Sequence, residues 1–165
     1  MKRAYPHAVR RNYSEPMSAT IREAIAGEEE RVVALYEWLF APPGSRPPQW
    51  DEERARRALT EAIVSPQSAV FVAEDGGALV GWCTAYLELN SVRFGRRCWI
   101  EDLAVDPERR SEGIGAGLLD AAKDWARGAG GTHLELDSGL ARTDAHRFYE
   151  REKPNWKSLS YSWEL

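Results

Sequence analysis

Arg110-Ser111-Glu112-Gly113-Ile114-Gly115-Ala116 stands between an apolar, strand-like run and an amphipathic, helical one. Upstream, Arg97-Cys98-Trp99-Ile100-Glu101-Asp102-Leu103-Ala104-Val105 ends at Asp106-Pro107, where a residue without an N–H stops a β-ladder. Downstream, Ile114, Leu118, Ala122 and Trp125 keep one helical face from Gly113 to about Arg127, and Gly128, Gly130 and Gly131 close the helix. Strand, turn and helix in this order aim the unpaired amides of Ser111 to Ala116, and the positive end of the helix dipole, at a single point that favours an anion. Glycine at 113 and 115 removes side chains that would hold a phosphate off the backbone, and Arg109 and Arg110 add charge. The same glycines also suit a tight turn with no ligand, so the turn alone leaves both readings open.

Two other phosphate motifs compete. A Walker A loop requires a Gly-Lys-Ser/Thr ending, which is missing. A dinucleotide fingerprint has in its favour Asp137, near the end of the next strand-like run, where a ribose-binding acid belongs. Its glycine spacing is wrong, however: glycines stand at 113, 115 and 117, and the run before them is separated from Gly113 by a segment carrying two arginines.

Further outward, Ala69 to Glu74 and Ala78 to Leu87 are β-like runs that flank Asp75-Gly76-Gly77, a turn suited to a hairpin. With the run ending at Val105 they form an antiparallel meander, which a dinucleotide domain does not contain. Thr20 to Ile25 alternates as a first strand, Glu28 to Phe40 has helical periodicity, and four prolines between 42 and 48 impose a loop. Asp51 to Val64 is a second helix with Ala55, Leu59 and Ala62 on its inward stripe. Thr132 to Asp137 is a strand reached by a crossover, hence parallel to the strand ending at Val105. A short helix covers Thr143 to Glu152, and Leu159 to Leu165 alternates as a closing strand. The predicted order is β-α-α-β-β-β-α-β-α-β: an α/β (α+β) chain with a mixed, mainly antiparallel sheet flanked by helices.

The chain has 165 residues, 43% of them apolar, enough for one sizeable core. Residues 19–165 are expected to form a single domain. Residues 1–18 carry Lys2, Arg3, Arg10 and Arg11 against Glu15, a local +3, and read as a flexible basic tail in preference to a nucleic-acid-binding arm. The overall charge of −4 then leaves −7 on the rest, a body that repels nucleic acid and attracts amines. No run of about 18 apolar residues is present, so a soluble, cytoplasmic protein is expected. Cys83 and Cys98 have no metal-ligand spacing and sit in apolar runs; neither a disulfide nor a metal site is expected.

With these motifs together, the sequence resembles the GNAT superfamily of acyl-CoA-dependent N-acetyltransferases, whose hallmark is Arg/Gln-x-x-Gly-x-Gly/Ala. Arg110 to Gly115 matches it, and Glu101-Asp102-Leu103-Ala104-Val105-Asp106-Pro107 and Ala145-His146-Arg147-Phe148-Tyr149-Glu150-Arg151 follow the family's style in the same order. The resemblance implies a GNAT-like fold over residues 20–165 and transfer of an acetyl group from acetyl-CoA to a primary amine, of a small molecule first of all. A protein N-terminus or lysine as acceptor, and a non-catalytic acyl-CoA sensor, are the alternatives. A homodimer is compatible with this reading; nucleic acid and membrane are not expected as partners.

The resemblance further implies that Arg110, Ser111, Glu112, Gly113, Ile114, Gly115 and Ala116 hold the pyrophosphate of acetyl-CoA, and that Leu103 and Val105 offer backbone groups to its pantetheine arm. Tyr149 matches the tyrosine that protonates the departing thiolate; its other reading is an aromatic packed in the core. Glu101 is the candidate base, because strict alternation sets Trp99, Glu101, Leu103 and Val105 on one face and Asp102 on the other. Its other reading is an ion pair with Arg96 or Arg97. His146 is given no role. Trp38, Phe40, Trp50 and Tyr86 either stack on an acceptor or fill the core. Arg142 stands where many family members carry an asparagine, and Glu152-Lys153-Pro154-Asn155-Trp156 replaces the usual Gly-Phe.

Overall fold

A computed structural model describes residues 19–163, so the expected basic tail at 1–18 lies outside the described residues. Five strands form one sheet in the order β1-β2-β3-β4-β5. They are β1 (Thr20–Glu23), β2 (Ser68–Asp75), β3 (Ala78–Ser91), β4 (Gly95–Val105) and β5 (His133–Leu136). The first three pairings are antiparallel and β4 pairs with β5 in parallel, as the crossover demands. The helices are α1 (Glu29–Ala34), α2 (Tyr36–Phe40), α3 (Glu52–Val64), α4 (Ile114–Gly128) and α5 (Thr143–Arg151). The expected mixed, mainly antiparallel α/β fold is the one observed.

Local chemistry accounts for the boundaries. Asp75 pairs with Ala78 around Gly76 and Gly77, which have φ of 56° and 83°, the left-handed pair that a two-residue hairpin loop needs. Asp51 caps α3 by accepting from the Arg54 amide at 2.6 Å. The run expected as one helix from Glu28 to Phe40 breaks at Leu35, where the Leu35 amide donates to the Val32 carbonyl and the Trp38 amide to that of Leu35, both three-residue spacings. Glu28 itself is buried and binds Arg22 of β1 in a fork, with 2.8 and 2.7 Å contacts, and Arg31 at 2.9 Å.

Two cores sandwich the sheet. On one face Ile114, Leu118, Leu119 and Ala122 of α4 meet Phe71, Cys83, Ala85 and Ile100. On the other, Val32, Val33, Leu59 and Ala62 meet Val70, Val72 and Trp82. Helix α4 lies so close to β3 that a Cβ at Gly81 would stand 3.1 Å from the Leu118 side chain and from the Ala104 carbonyl.

The closing strand expected from Leu159 is not formed as far as Trp163; residues 164 and 165 lie outside the described residues. The chain leaves α5 through Lys153 at φ 54° and then Pro154, which turn it away, and Trp156 stacks on Phe94 with ring centroids 6.1 Å apart. Leu159, Tyr161 and Trp163 are exposed. Alternation alone marks one face as apolar; it supplies no neighbouring strand to pair with.

Candidate active site

The sheet parts where the motifs meet. On one edge β4 keeps its ladder with β3 as far as Gly81↔Val105, while its ladder with β5 ends at Ile100↔Leu136. From Glu101 to Val105 the β5-facing edge of β4 thus has no strand beside it. A cleft opens there, lined by Glu101, Leu103, Leu136, Asp137 and, from the α5 side, Arg142 and Tyr149. Ligand sites form at the carboxyl ends of parallel neighbours for this reason.

Beyond β4 comes a single 3-10 turn, Pro107–Arg109, then the glycine turn and α4. Ser111 and Gly113 both take left-handed backbone angles, φ 69° and 85°, and Gly113 is the residue before the first helical one. The Gly117 amide is the first to bond within the helix, to Gly113, at 3.0 Å, which leaves the amides of Ile114, Gly115 and Ala116 without helical partners. The two arginines here differ. Arg109 contacts Asp75 at 2.9 Å and Glu112 at 2.8 Å, so it braces the turn against the β2–β3 hairpin. Arg110 is exposed and enters no ion pair among the described residues, so its charge is available to an anion over the helix start. The residues thus fit a pyrophosphate at Arg110 to Ala116.

Alternation along β4 fails at Glu101. Thr84 pairs with Asp102 but Ala85 pairs with Ile100, so Glu101 is the extra residue of a β-bulge. Ile100, Leu103 and Val105 therefore face α4, whereas Asp102 and Ala104 face α1–α3. The expectation that Trp99 and Glu101 share a face with Leu103 and Val105 is corrected by this bulge. The Trp99 indole donates to Glu101 Oε2 at 2.8 Å. Arg97 pairs with Glu88 and Glu135 and Arg96 donates to the Ala129 carbonyl, so neither neighbouring arginine takes Glu101.

Tyr149 projects from α5 into the cleft. Its hydroxyl has no hydrogen-bond partner among the described residues, and burial first, then the thiol of Cys83, push its pKa up to about 12 against the opposing charge of Arg142. Phe148, beside it, packs on the α4 core and would lie 3.5 Å from a Cβ at Gly115.

A second cavity adjoins the first on the other side of Glu101. Tyr36, Phe40 and Trp50 wall it, with Asp102 and Arg142. Tyr36 stands 5.2 Å from Trp50 and 5.0 Å from Trp82, ring centroid to centroid. Its hydroxyl donates to Asp102 Oδ2 at 2.6 Å, and Thr84 donates to the same oxygen at 3.3 Å. Burial raises the Asp102 pKa, Tyr36 pulls it back, and the charge of Glu101 adds to the rise. Sequence reasoning missed both Tyr36 and Asp102. Trp38, also singled out there, packs on Trp82 in the core.

The sequence and the fold match one group of proteins. The profile of the Acetyltransferase (GNAT) family covers residues 32–152, and the chain belongs to that family. Over 90 residues, 54% of this chain, it is 44% identical to an uncharacterized N-acetyltransferase of Bacillus subtilis (strain 168). It is 31% identical over 102 residues, 62% of this chain, to the aminoalkylphosphonate N-acetyltransferase of Salmonella typhimurium (strain LT2). The chain spans 63% and 66% of the lengths of these two relatives, just under two thirds. Among solved structures, the aminoglycoside N-acetyltransferase AAC(6')-Iy in complex with CoA superposes with a TM-score of 0.77 at 16% identity, over 93% of this chain and 99% of that one, a likeness of fold.

No helix among the described residues is long and apolar enough to cross a membrane.

Proposed function

We propose that the chain transfers an acetyl group from acetyl-CoA to a primary amine of a small molecule, acting in the cytoplasm. The observation that carries this reading is the parting of β4 from β5 beyond Ile100↔Leu136, which gathers Glu101, Tyr149 and the free backbone edge of 101–105 into one cleft. The relatives support the choice of acceptor: one is an aminoalkylphosphonate N-acetyltransferase and another an aminoglycoside N(6')-acetyltransferase.

When bound, acetyl-CoA supplies an acetyl thioester. Its pyrophosphate is held by the amides of Ile114 to Ala116 and by Arg110, and its pantetheine arm lies along the backbone of Leu103 and Val105, as a missing strand would. Glu101, at the junction of the two cavities, removes a proton from the ammonium group, directly or through one water, so that a neutral amine attacks. Tyr149 delivers its phenolic proton to the departing sulfur. Its raised pKa keeps that proton in place across the neutral range, and an unpartnered hydroxyl has no bond to break first.

Release of free thiol from acetyl-CoA, measured across a panel of small amines, tests the reading. Thiol release that depends on an amine, and that drops steeply in Tyr149→Phe, is the expected result. Binding of acetyl-CoA with no turnover on any amine, unchanged by Tyr149→Phe, overturns it in favour of a sensor. Turnover confined to peptide amines moves the acceptor to proteins.

A further inference from the structure

Three charged side chains line the cavity between α2, the 41–50 loop and the start of α5, and none of them enters an ion pair among the described residues. Each is tied to an uncharged partner. Glu101 accepts from the Trp99 indole at 2.8 Å, and Asp102 from the Tyr36 hydroxyl at 2.6 Å. Arg142 Nη2 donates to the Leu39 carbonyl at 2.7 Å. Several arginines elsewhere close onto carboxylates, as Arg22 does with Glu28 and Arg97 with Glu135. Here the guanidinium and the two carboxylates share a cavity and stay apart.

The tethers explain the separation. Arg142 precedes the first turn of α5, and its reach to Leu39 runs under the backbone of Gly44, where a Cβ would meet both the Leu39 carbonyl and the guanidinium. Asp102 is fixed from the opposite wall by Tyr36 and Thr84. Opposite charges held apart in a partly dry cavity are uncompensated, and each gains more from a ligand charge there than it would in water. The planar fork of arginine matches a carboxylate or phosphonate. The rings of Tyr36, Phe40 and Trp50 exclude water between the two ends and offer their faces to a cation.

We infer that the acceptor is a small zwitterion whose ammonium faces Asp102 and Glu101 and whose oxyanion, a carboxylate or phosphonate, is held by Arg142. This rests on the acetyltransfer reading above. Asp102, which lines this cavity alone, holds the ammonium while Glu101, which lines both cavities, takes its proton. Arg142, which lines the thioester cleft beside Tyr149 as well as this cavity, acts as a specificity-determining residue for the oxyanion of the acceptor.

The test compares acceptors matched in length: β-alanine and 2-aminoethylphosphonate against propylamine, with spermidine as an all-cationic control. For the native chain, kcat/KM on the two zwitterions exceeds that on propylamine and spermidine by tenfold or more, mainly through KM. Arg142→Gln brings the ratio close to one, and Arg142→Lys, which keeps the charge without the fork, retains part of it. The relative strength of the two zwitterions identifies the anion. Thermal shifts of the native chain by β-alanine and by propylamine give the same comparison if Arg142→Gln does not fold. A native preference for propylamine or spermidine overturns the inference. So does an Arg142→Gln chain whose kcat falls equally on every acceptor, since that marks a role at the departing sulfur. In both cases amine-dependent thiol release persists and the acetyltransfer reading stands; absence of release with every amine overturns both.

Discussion

The hydroxyl of Tyr36, at the first position of α2, donates to Asp102 Oδ2 on β4 at 2.6 Å, a contact between residues 66 apart in the chain. It joins the helical layer to the sheet at the wall of the second cavity.

Asp102 makes the folded chain favour its own protonation. Burial sets its folded pKa above the ordinary carboxylate value, so its contribution to stability is complete below that ordinary value and is lost as pH rises through the raised one. Asp102→Asn removes this dependence. Urea unfolding from pH 4 to pH 8 should show the variant gaining stability relative to the native chain as pH rises, with the difference levelling off above the raised pKa.

Glu28 has the opposite sign. The Arg22 guanidinium holds its carboxyl at about 2, below the ordinary 4.5, so the stabilisation is present above 4.5 and is lost as pH falls towards 2. The side chain is 8% exposed, so the pair is screened little. Glu28→Gln should cost about 2 to 3 kcal/mol in urea unfolding at pH 7, shrinking towards zero near pH 2.

The turn before α4 separates fold from binding. Gly113→Ala places a side chain at φ 85°, at a cost of about 1 to 2 kcal/mol. Gly115→Ala meets the Phe148 ring and a Val105 methyl, both at ordinary contact distance, and should leave the melting temperature nearly unchanged. Both add a methyl within the turn proposed to hold pyrophosphate. In a thermal-shift titration, acetyl-CoA should stabilise the native chain by about 2 to 3 kcal/mol at a hundredfold excess over Kd, and both variants markedly less. Shifts equal to the native one in both would remove the turn from the binding site.

For Tyr149→Phe, kcat should fall by about 10²- to 10⁴-fold with little change in melting temperature, because the hydroxyl has no partner to lose. The acid held at about 12 in the native chain implies no loss of rate from this group between pH 7 and pH 10. A basic limb below pH 10 that vanishes in Tyr149→Phe would contradict the raised pKa.

The strands and helices from Thr20 to Arg151 were legible because their periods of 2 and 3.6 are local properties. So was the glycine turn before α4, whose form is decided within seven consecutive residues. Three features escaped for one physical reason: each is decided by a distant neighbour. The break at Leu35 lies within an unbroken helical pattern and serves to bring Tyr36 to Asp102. The closing strand depended on an edge to pair with. The bulge at Glu101 leaves no mark in the composition of β4, since one extra residue changes the parity of the strand and nothing in its sequence.

That change of parity divides labour along a single strand. In an unbulged β4, Asp102 and Leu103 would still face opposite ways, but Glu101 would be confined to one side of the sheet. Displaced from the ladder, it borders both cavities, so the two cavities are served by consecutive residues of one rigid element. The rings of Tyr36, Phe40 and Trp50 line the second cavity alone, whereas Leu39 and Arg142 line both. Changes confined to the aromatic wall of Tyr36, Phe40 and Trp50 can therefore reshape the second cavity without altering a residue that lines the first.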